Sequence, residues 1–470
     1  MALQGITRAM TFASRNLAKL EFLIIPLALF AKFLIAAYAI QRGLYNQQDW
    51  HVHGGLIHDF KSWSVEHINP PLLYFFANKL LRLSLTKPYA LEIASYVLVL
   101  LNIAATWVFY QRIVRVYLTR SSLRISCMLL LILLPVFSLH QTMLNPDALT
   151  VPVFIGMVLA IHALVQNGPT TIRELVKYTL LALAAVLSKY TLITSVMAGG
   201  VAIIWTAWRK SWNKWPIAAW VLGGIVLPGM IFSIIIWSSS QRNGYTTHRH
   251  FFEQDPPAGM NIPFQHLFIP RPLDREIFAA PRGCPGGGPL TKPDSHSYIA
   301  LLHYSAFSDL YDTFWPGNHQ CSEEPRTENR RRIMALSIGL GLLFSLFAIA
   351  GTLYFSFSLG RTGRYLKNEI SIQELLALFS LAYFLLIALN LPRVPLAVQS
   401  HYWHGRLVMP ALFSFFALGF FYLDKILAFD ANSSLDRSKE MAVKNCVSGI
   451  LLGLSLVLAV SNVLIFTVES

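Results

Sequence analysis

The chain has 470 residues, 54% of them hydrophobic and only 13% charged, with a mean hydropathy of +0.50. Those values exclude an ordinary soluble globular protein and point to a polytopic membrane protein. The net charge of +14 does not mark a nucleic-acid binder, because the lysines and arginines sit in short loops between apolar runs, as in cytoplasmic loops of membrane proteins.

Apolar runs recur near the ~20 residues that a helix needs to cross a bilayer. Backbone groups in lipid need internal partners, so these runs read as helices, and no alternating barrel pattern appears. The first covers 21–40. No secretory cleavage site follows it, so an uncleaved span is expected. Arg8, Arg15 and Lys19 precede it and place its start on the cytoplasmic side. The first outer loop, 41–88, follows. Within it, 49–76 holds Asp49, His51, His53, His58, Asp59, Glu66 and His67, then Asn69-Pro70-Pro71. The segment 70–85 carries Asn78, Lys79 and Arg82 and reads as an interfacial helix whose start the prolines set.

Further spans are expected at 89–110, 125–139, 148–165, 178–187, 191–208 and 215–237. The stretch 238–332 is a long polar insertion rich in Pro and Gly. Spans at 333–357, 375–391, 407–427 and 447–466 complete about eleven crossings, with the N-terminus inside and the C-terminus outside. This divides the chain into an N-terminal membrane module (1–237), an extracytoplasmic insertion (238–332) and C-terminal spans (333–470). Arg330-Arg331-Arg332 abuts the outer face in this scheme, where contact with lipid phosphates is the one role on offer. Asp49, Asp147, Lys189, the insertion and Arg406 all fall on the outer side.

Each candidate has a plain alternative. Asp49 is either a solvated loop residue or a functional carboxylate at the membrane interface. Asp49-x-His51-x-His53 offers a divalent metal a carboxylate and two imidazoles, a weak signal by spacing alone. Asp147, in Asn145-Pro146-Asp147-Ala148-Leu149, is a helix cap that also faces the outer side. Lys189 ends an apolar span and either snorkels to the interface or binds a phosphate as a point charge. His404-Gly405-Arg406 is an aromatic-belt arginine or a guanidinium fork for phosphate. The run Gly283 to Gly288 lacks the Gly-Lys-Ser/Thr of a nucleotide loop and reads as a flexible turn. Asp309, Asp312, Trp315 and His319 line a sugar site or stabilise the insertion itself. Cys284 and Cys321 share the outer insertion, where an oxidising compartment permits a disulfide. Cys127 and Cys446 are expected to stay reduced.

In order along the chain stand an acidic residue in the first outer loop (Asp49), Pro-Pro-Leu-Leu-Tyr ending at Tyr74, Asn-Pro-Asp-Ala-Leu ending at Leu149, Ser188-Lys189-Tyr190 and Gly405-Arg406-Leu407. This ordered set resembles the GT-C superfamily of polyprenyl-phosphate-dependent glycosyltransferases, in particular its protein O-mannosyltransferase and lipid A aminoarabinose transferase branch. The likeness covers the first 210 or so residues best. The family's acidic pair is here Asp49-Trp50, so the second carboxylate must come from Asp147 or Asp59, and its Gly-Arg-Tyr is here Gly-Arg-Leu.

The resemblance implies an all-α helical bundle that moves a sugar from a polyprenyl-phosphate donor to a glycan, lipid or protein acceptor on the outer face. Inversion at the anomeric carbon is implied, and the bacterial inner or plasma membrane fits better than the endoplasmic reticulum. Asp49 and Asp147 are then the catalytic carboxylates, with Asp49 as base. Lys189 and Arg406 hold the donor phosphate. His51, His53, His404 and Tyr190 line the substrate. A transporter or lipid flippase is the rival from another class, and a membrane scaffold a weaker one.

Overall fold

The computed structural model describes residues 2–43, 57, 71–83, 89–167, 172–209, 214–231, 233–234, 298–308, 328–362, 370–390, 408–428 and 437–467. Among these residues the chain is helical, with no strand. The helices are α1 (Ala2–Gln41), α2 (Leu72–Leu83), α3 (Ala90–Phe109), α4 (Ser121–Leu133), α5 (Pro135–His140), α6 (Thr150–Asn167) and α7 (Ile172–Ser188). They continue with α8 (Ile193–Arg209), α9 (Lys214–Val221), α10 (Tyr298–Phe307), α11 (Glu328–Thr362), α12 (Ile372–Asn390), α13 (Met409–Ala428) and α14 (Arg437–Thr467).

Six helical stretches are long and apolar enough to cross a membrane, and four shorter ones are apolar. The reason is visible on α1. Its inner face buries Ile25, Ala28, Leu29, Ile35, Ala36 and Ala39, while Phe22, Leu23, Leu27, Phe30 and Leu34 on the opposite face are exposed. A soluble helix would carry polar residues there. Apolar side chains on both faces mean protein on one side and lipid on the other. Helical throughout its described residues, the chain has the make-up of a multi-pass membrane protein.

Polar contacts define two ends of the bundle. At one end Arg124 of α4 pairs with Glu21 of α1 at 2.7 Å, and the Tyr110 hydroxyl donates to the same carboxylate at 2.7 Å. Tyr110 opens a π-helical turn, Tyr110–Val114, that continues α3. Nearby, Thr119 donates through its backbone N–H to Asp424 of α13 at 2.8 Å, and Arg120 donates to the Leu427 carbonyl at 3.1 Å. At the other end α10 docks on α11. The Ser337 hydroxyl lies within hydrogen-bond distance of the Phe307 carbonyl, at 2.8 Å, and of the Asn462 side chain of α14, at 2.5 Å. His303 reaches Ser345 and the Ile338 carbonyl, both at 3.0 Å.

In lipid, helices associate through close packing and interhelical hydrogen bonds. The α11–α13 crossing is closest at two glycines, one on each helix. A Cβ on Gly351 would meet the Leu418 carbonyl, and one on Gly419 would lie 2.8 Å from the Ala348 nitrogen. Ser195 of α8 bonds Tyr383 of α12, and Ser380 of α12 bonds Ser414 of α13, both at 2.8 Å.

Within the stretch expected as the insertion, Leu302, Tyr304, Ala306 and Phe307 of α10 are buried. Helix α11 begins at Glu328, so the arginine triplet lies inside it. Arg331 and Arg332 pair with Glu328 at 3.0 Å and 2.9 Å, one turn away. Arg330 turns inward and is fully buried, so it does not reach lipid headgroups.

Candidate functional site

Asp147 is placed by local chemistry. Asn145 precedes a proline, which disfavours helical backbone, and it is extended at φ −131° and ψ 163°. Its side-chain oxygen accepts from the Asp147 N–H at 3.0 Å, an N-cap that starts the 3-10 turn Pro146–Leu149. The Thr150 hydroxyl donates to the Asp147 carbonyl at 2.7 Å. Asn102 of α3 donates to the Ala148 carbonyl at 2.7 Å and so locks the turn to a neighbouring helix.

Lys189 follows α7. Its N–H still donates to Ala185 at 3.2 Å, and its carbonyl accepts from Leu192 at 3.0 Å, so the backbone passes into the short 3-10 turn Tyr190–Leu192. The side chain does not snorkel outward. It forms an ion pair with Asp147, and the two residues are 6% and 5% exposed, too little for either to count as a solvated surface charge. A buried pair of this kind stands only when both partners are present, since each alone would be an uncompensated charge.

The surroundings are polar and equally buried. His140, Gln141, Thr142 and Asn145 lead into the turn, and Thr191 and Thr194 follow Lys189. The Gln141 amide and the Thr191 and Thr194 hydroxyls have no hydrogen-bond partner among the described residues. Helix α2 lies across the Asp147 turn, its Leu73, Tyr74 and Ala77 packed with Leu144, Ala148 and Leu149. Asn78 of α2 donates to the Ile57 carbonyl at 2.7 Å, which ties the first loop to this cover.

Of the residues singled out in the sequence, Asp147 and Lys189 are brought together. Tyr190 stands beside Lys189 in the backbone. Asp49, His51, His53, Asp59, His404, Arg406, the Gly283 to Gly288 run and the pair Cys284 and Cys321 lie outside the described residues. So does the expected metal site; among the described residues no three His, Cys, Asp or Glu side chains converge.

Buried charges that the sequence reading did not expect include Lys32 and Arg330. Lys32 lies in the middle of α1 and is 3% exposed, and Arg330 is fully buried in the first turn of α11. An ionisable residue inside an apolar span is the signal that finds Lys32. Arg330 has no such signal, because it sits in a run of three arginines of which only one turns inward. No protein-family model and no curated protein matches the chain.

Proposed function

We propose that the chain is an integral membrane glycosyltransferase that moves a sugar from a polyprenyl-phosphate donor to an acceptor at the extracytoplasmic face. The observation that supports this best is the ion pair between Asp147 and Lys189. Two motifs that are 42 residues apart in the sequence meet in one buried ion pair, with α2 packed on the turn that carries Asp147. In the eleven-crossing scheme read from the sequence, that end of the bundle would face the outer side.

In this reading the acceptor hydroxyl attacks the anomeric carbon and gives its proton to the Asp49 carboxylate. The bond from that carbon to the phosphate oxygen breaks, and the electron pair stays on the phosphate. Lys189 and Arg406 offset the charge that develops there. Asp147 fixes the Lys189 ammonium in place before the donor arrives, so little reorganisation is left for the reaction itself. Lipid phosphate as the leaving group removes the need for a nucleotide-binding domain. The purified chain, supplied with a panel of radiolabelled polyprenyl-phosphate sugars and membrane-extracted acceptors, should transfer label. Lys189→Ala should bind the donor more weakly. No transfer from any member of the panel overturns the reading.

A transporter or lipid flippase is the second reading. The charge of Lys32 at mid-span and the break between α4 and α5 at Leu134 favour it, since transport sites lie near the midplane and use interrupted helices. Movement of a fluorescent polyprenyl phosphate across proteoliposomes, without sugar transfer, would select it.

A further inference from the structure

Lys32 stands on the face of α1 that turns into the bundle, between Ala28, Leu29, Ile35 and Ala36, all buried. Its ammonium has no hydrogen-bond partner among the described residues. Its depth follows from the helix register. Glu21 of α1 pairs with Arg124 of α4, and the two helices run the same way. Lys32 is therefore level with Pro135, about 16 Å above that pair at 1.5 Å per residue, roughly halfway through a ~30 Å hydrocarbon layer. Pro135 carries no N–H, and the helix is interrupted there at Leu134, with φ −60° and ψ 127°. Helix α3 runs the opposite way, and the contact of Phe33 with Tyr96 sets its register at 6.2 Å between ring centroids.

At this level the interior is polar on three helices. Ser95 and Asn102 of α3 and Ser138 of α5 are buried within about a turn of Lys32 along their helices. The Ser95 and Ser138 hydroxyls and the Asn102 side-chain oxygen have no partner among the described residues. A lone ammonium in an apolar span is strongly disfavoured unless an anion joins it. Hydroxyl donors at the same level suit an anion with several acceptor oxygens and tetrahedral reach.

We propose that Lys32 is the charged residue of an anion site inside the bundle, and that its ligand is a phosphate group. Lys189 has a carboxylate beside it in Asp147, whereas the Lys32 ammonium has no hydrogen-bond partner among the described residues. The site is open to two sources of the same chemistry, a phosphate carried on a lipid or a free phosphate ion. The proposal stands whether the chain transfers a sugar or moves a lipid.

The test uses the full chain purified in a maltoside detergent and follows its thermal unfolding midpoint. The probes are a polyprenyl monophosphate, the matching neutral polyprenol and inorganic phosphate. The wild type should be raised by polyprenyl phosphate and not by polyprenol. A rise with inorganic phosphate alone identifies the free ion as the ligand. Lys32→Met should unfold at a higher temperature than the wild type without ligand, since it removes an unmatched charge. It should bind the phosphate about tenfold or more weakly, the scale of one charged hydrogen bond. Lys32→Arg should keep part of the response. An equal response in Lys32→Met and wild type, or no response of the wild type to any phosphate, overturns the proposal. So does a Lys32→Met protein that is less stable than wild type without ligand, because Lys32 would then be matched by a carboxylate of the chain itself.

Discussion

The Asp147–Lys189 pair is the residue-scale feature on which the site rests. Removing one partner leaves the other as a buried, unmatched charge, which costs about 3–5 kcal/mol. Asp147→Ala and Lys189→Met should each lower stability by that amount in denaturant titrations of the detergent-solubilised chain. The double variant should lose much less than the sum, because two neutral side chains can share the pocket. Additive losses would mean that the two charges do not depend on each other. Asp49→Asn, by contrast, should leave folding and insertion unchanged and abolish transfer, since it removes the base at nearly constant volume; turnover at the wild-type level rules Asp49 out. The sequence reading singles out both Asp147 and Lys189 as residues at the ends of apolar runs. Their contact is not legible there, because nothing in local pattern links positions 42 residues apart. Lys32 was missed for the opposite reason: one lysine among strongly apolar neighbours hardly changes a hydropathy average, so the run around it reads as an unbroken span.

At the scale of elements, the glycines separate packing from propensity. Gly351→Ala and Gly419→Ala push a methyl group into the backbone of the facing helix, so each should destabilise by about 1–3 kcal/mol or more. Gly453→Ala on α14 meets nothing within 4 Å and should be neutral or slightly stabilising, by about 0.5–1 kcal/mol at most. Thermal unfolding of the three variants side by side checks the contrast. Helix α10 adds a pH dependence. Burial holds the His303 imidazole below its ordinary value of 6.5, against the opposing effect of its hydrogen bond to the Ile338 carbonyl. The unfolded chain then binds the proton first. The stability from the neutral ring is complete above the ordinary value and is lost as pH falls through the lowered one. The unfolding midpoint of the wild type should drop across that window, and His303→Gln should flatten the drop. The sequence foretold the apolar helices and the helix after Pro70-Pro71, found as Leu72–Leu83. It misplaced the start of α11, because its first turn is charged and hydropathy registers only the apolar part. The i,i+3 and i,i+4 pairs of Glu328 with Arg331 and Arg332 carry that turn instead.

At the scale of the whole molecule, the question is which end of the bundle faces which compartment. The positive residues in short loops lead the sequence reading to expect the Asp147 end outside. Cysteines introduced at Ser295 and Gln399 should therefore react with an impermeant reagent, and cysteines at Thr362 and Ser438 should not; reaction at Thr362 reverses the orientation. The native cysteines give a second, independent measure of the same thing. Cys127 is buried, and Cys446 is near the end of the bundle that holds Asp424. Cys284 and Cys321 stand in the insertion on either side of α10, each 14 residues from its nearer end. Helix α10 is docked at the opposite end of the bundle through the Ser337–Phe307 bond. It thus anchors the middle of the loop that the two cysteines would close, and each tether is long enough to bring its cysteine back to the other. If that end faces an oxidising compartment, the two thiols are free to pair. Closing a loop of about 37 residues would stabilise the folded insertion by roughly 3–4 kcal/mol on the chain-entropy account. Mass spectrometry of the non-reduced protein after proteolysis should recover Cys284 and Cys321 in one linked peptide. Recovery of both as separate, alkylatable peptides from protein matured in its native membrane would refute the bond.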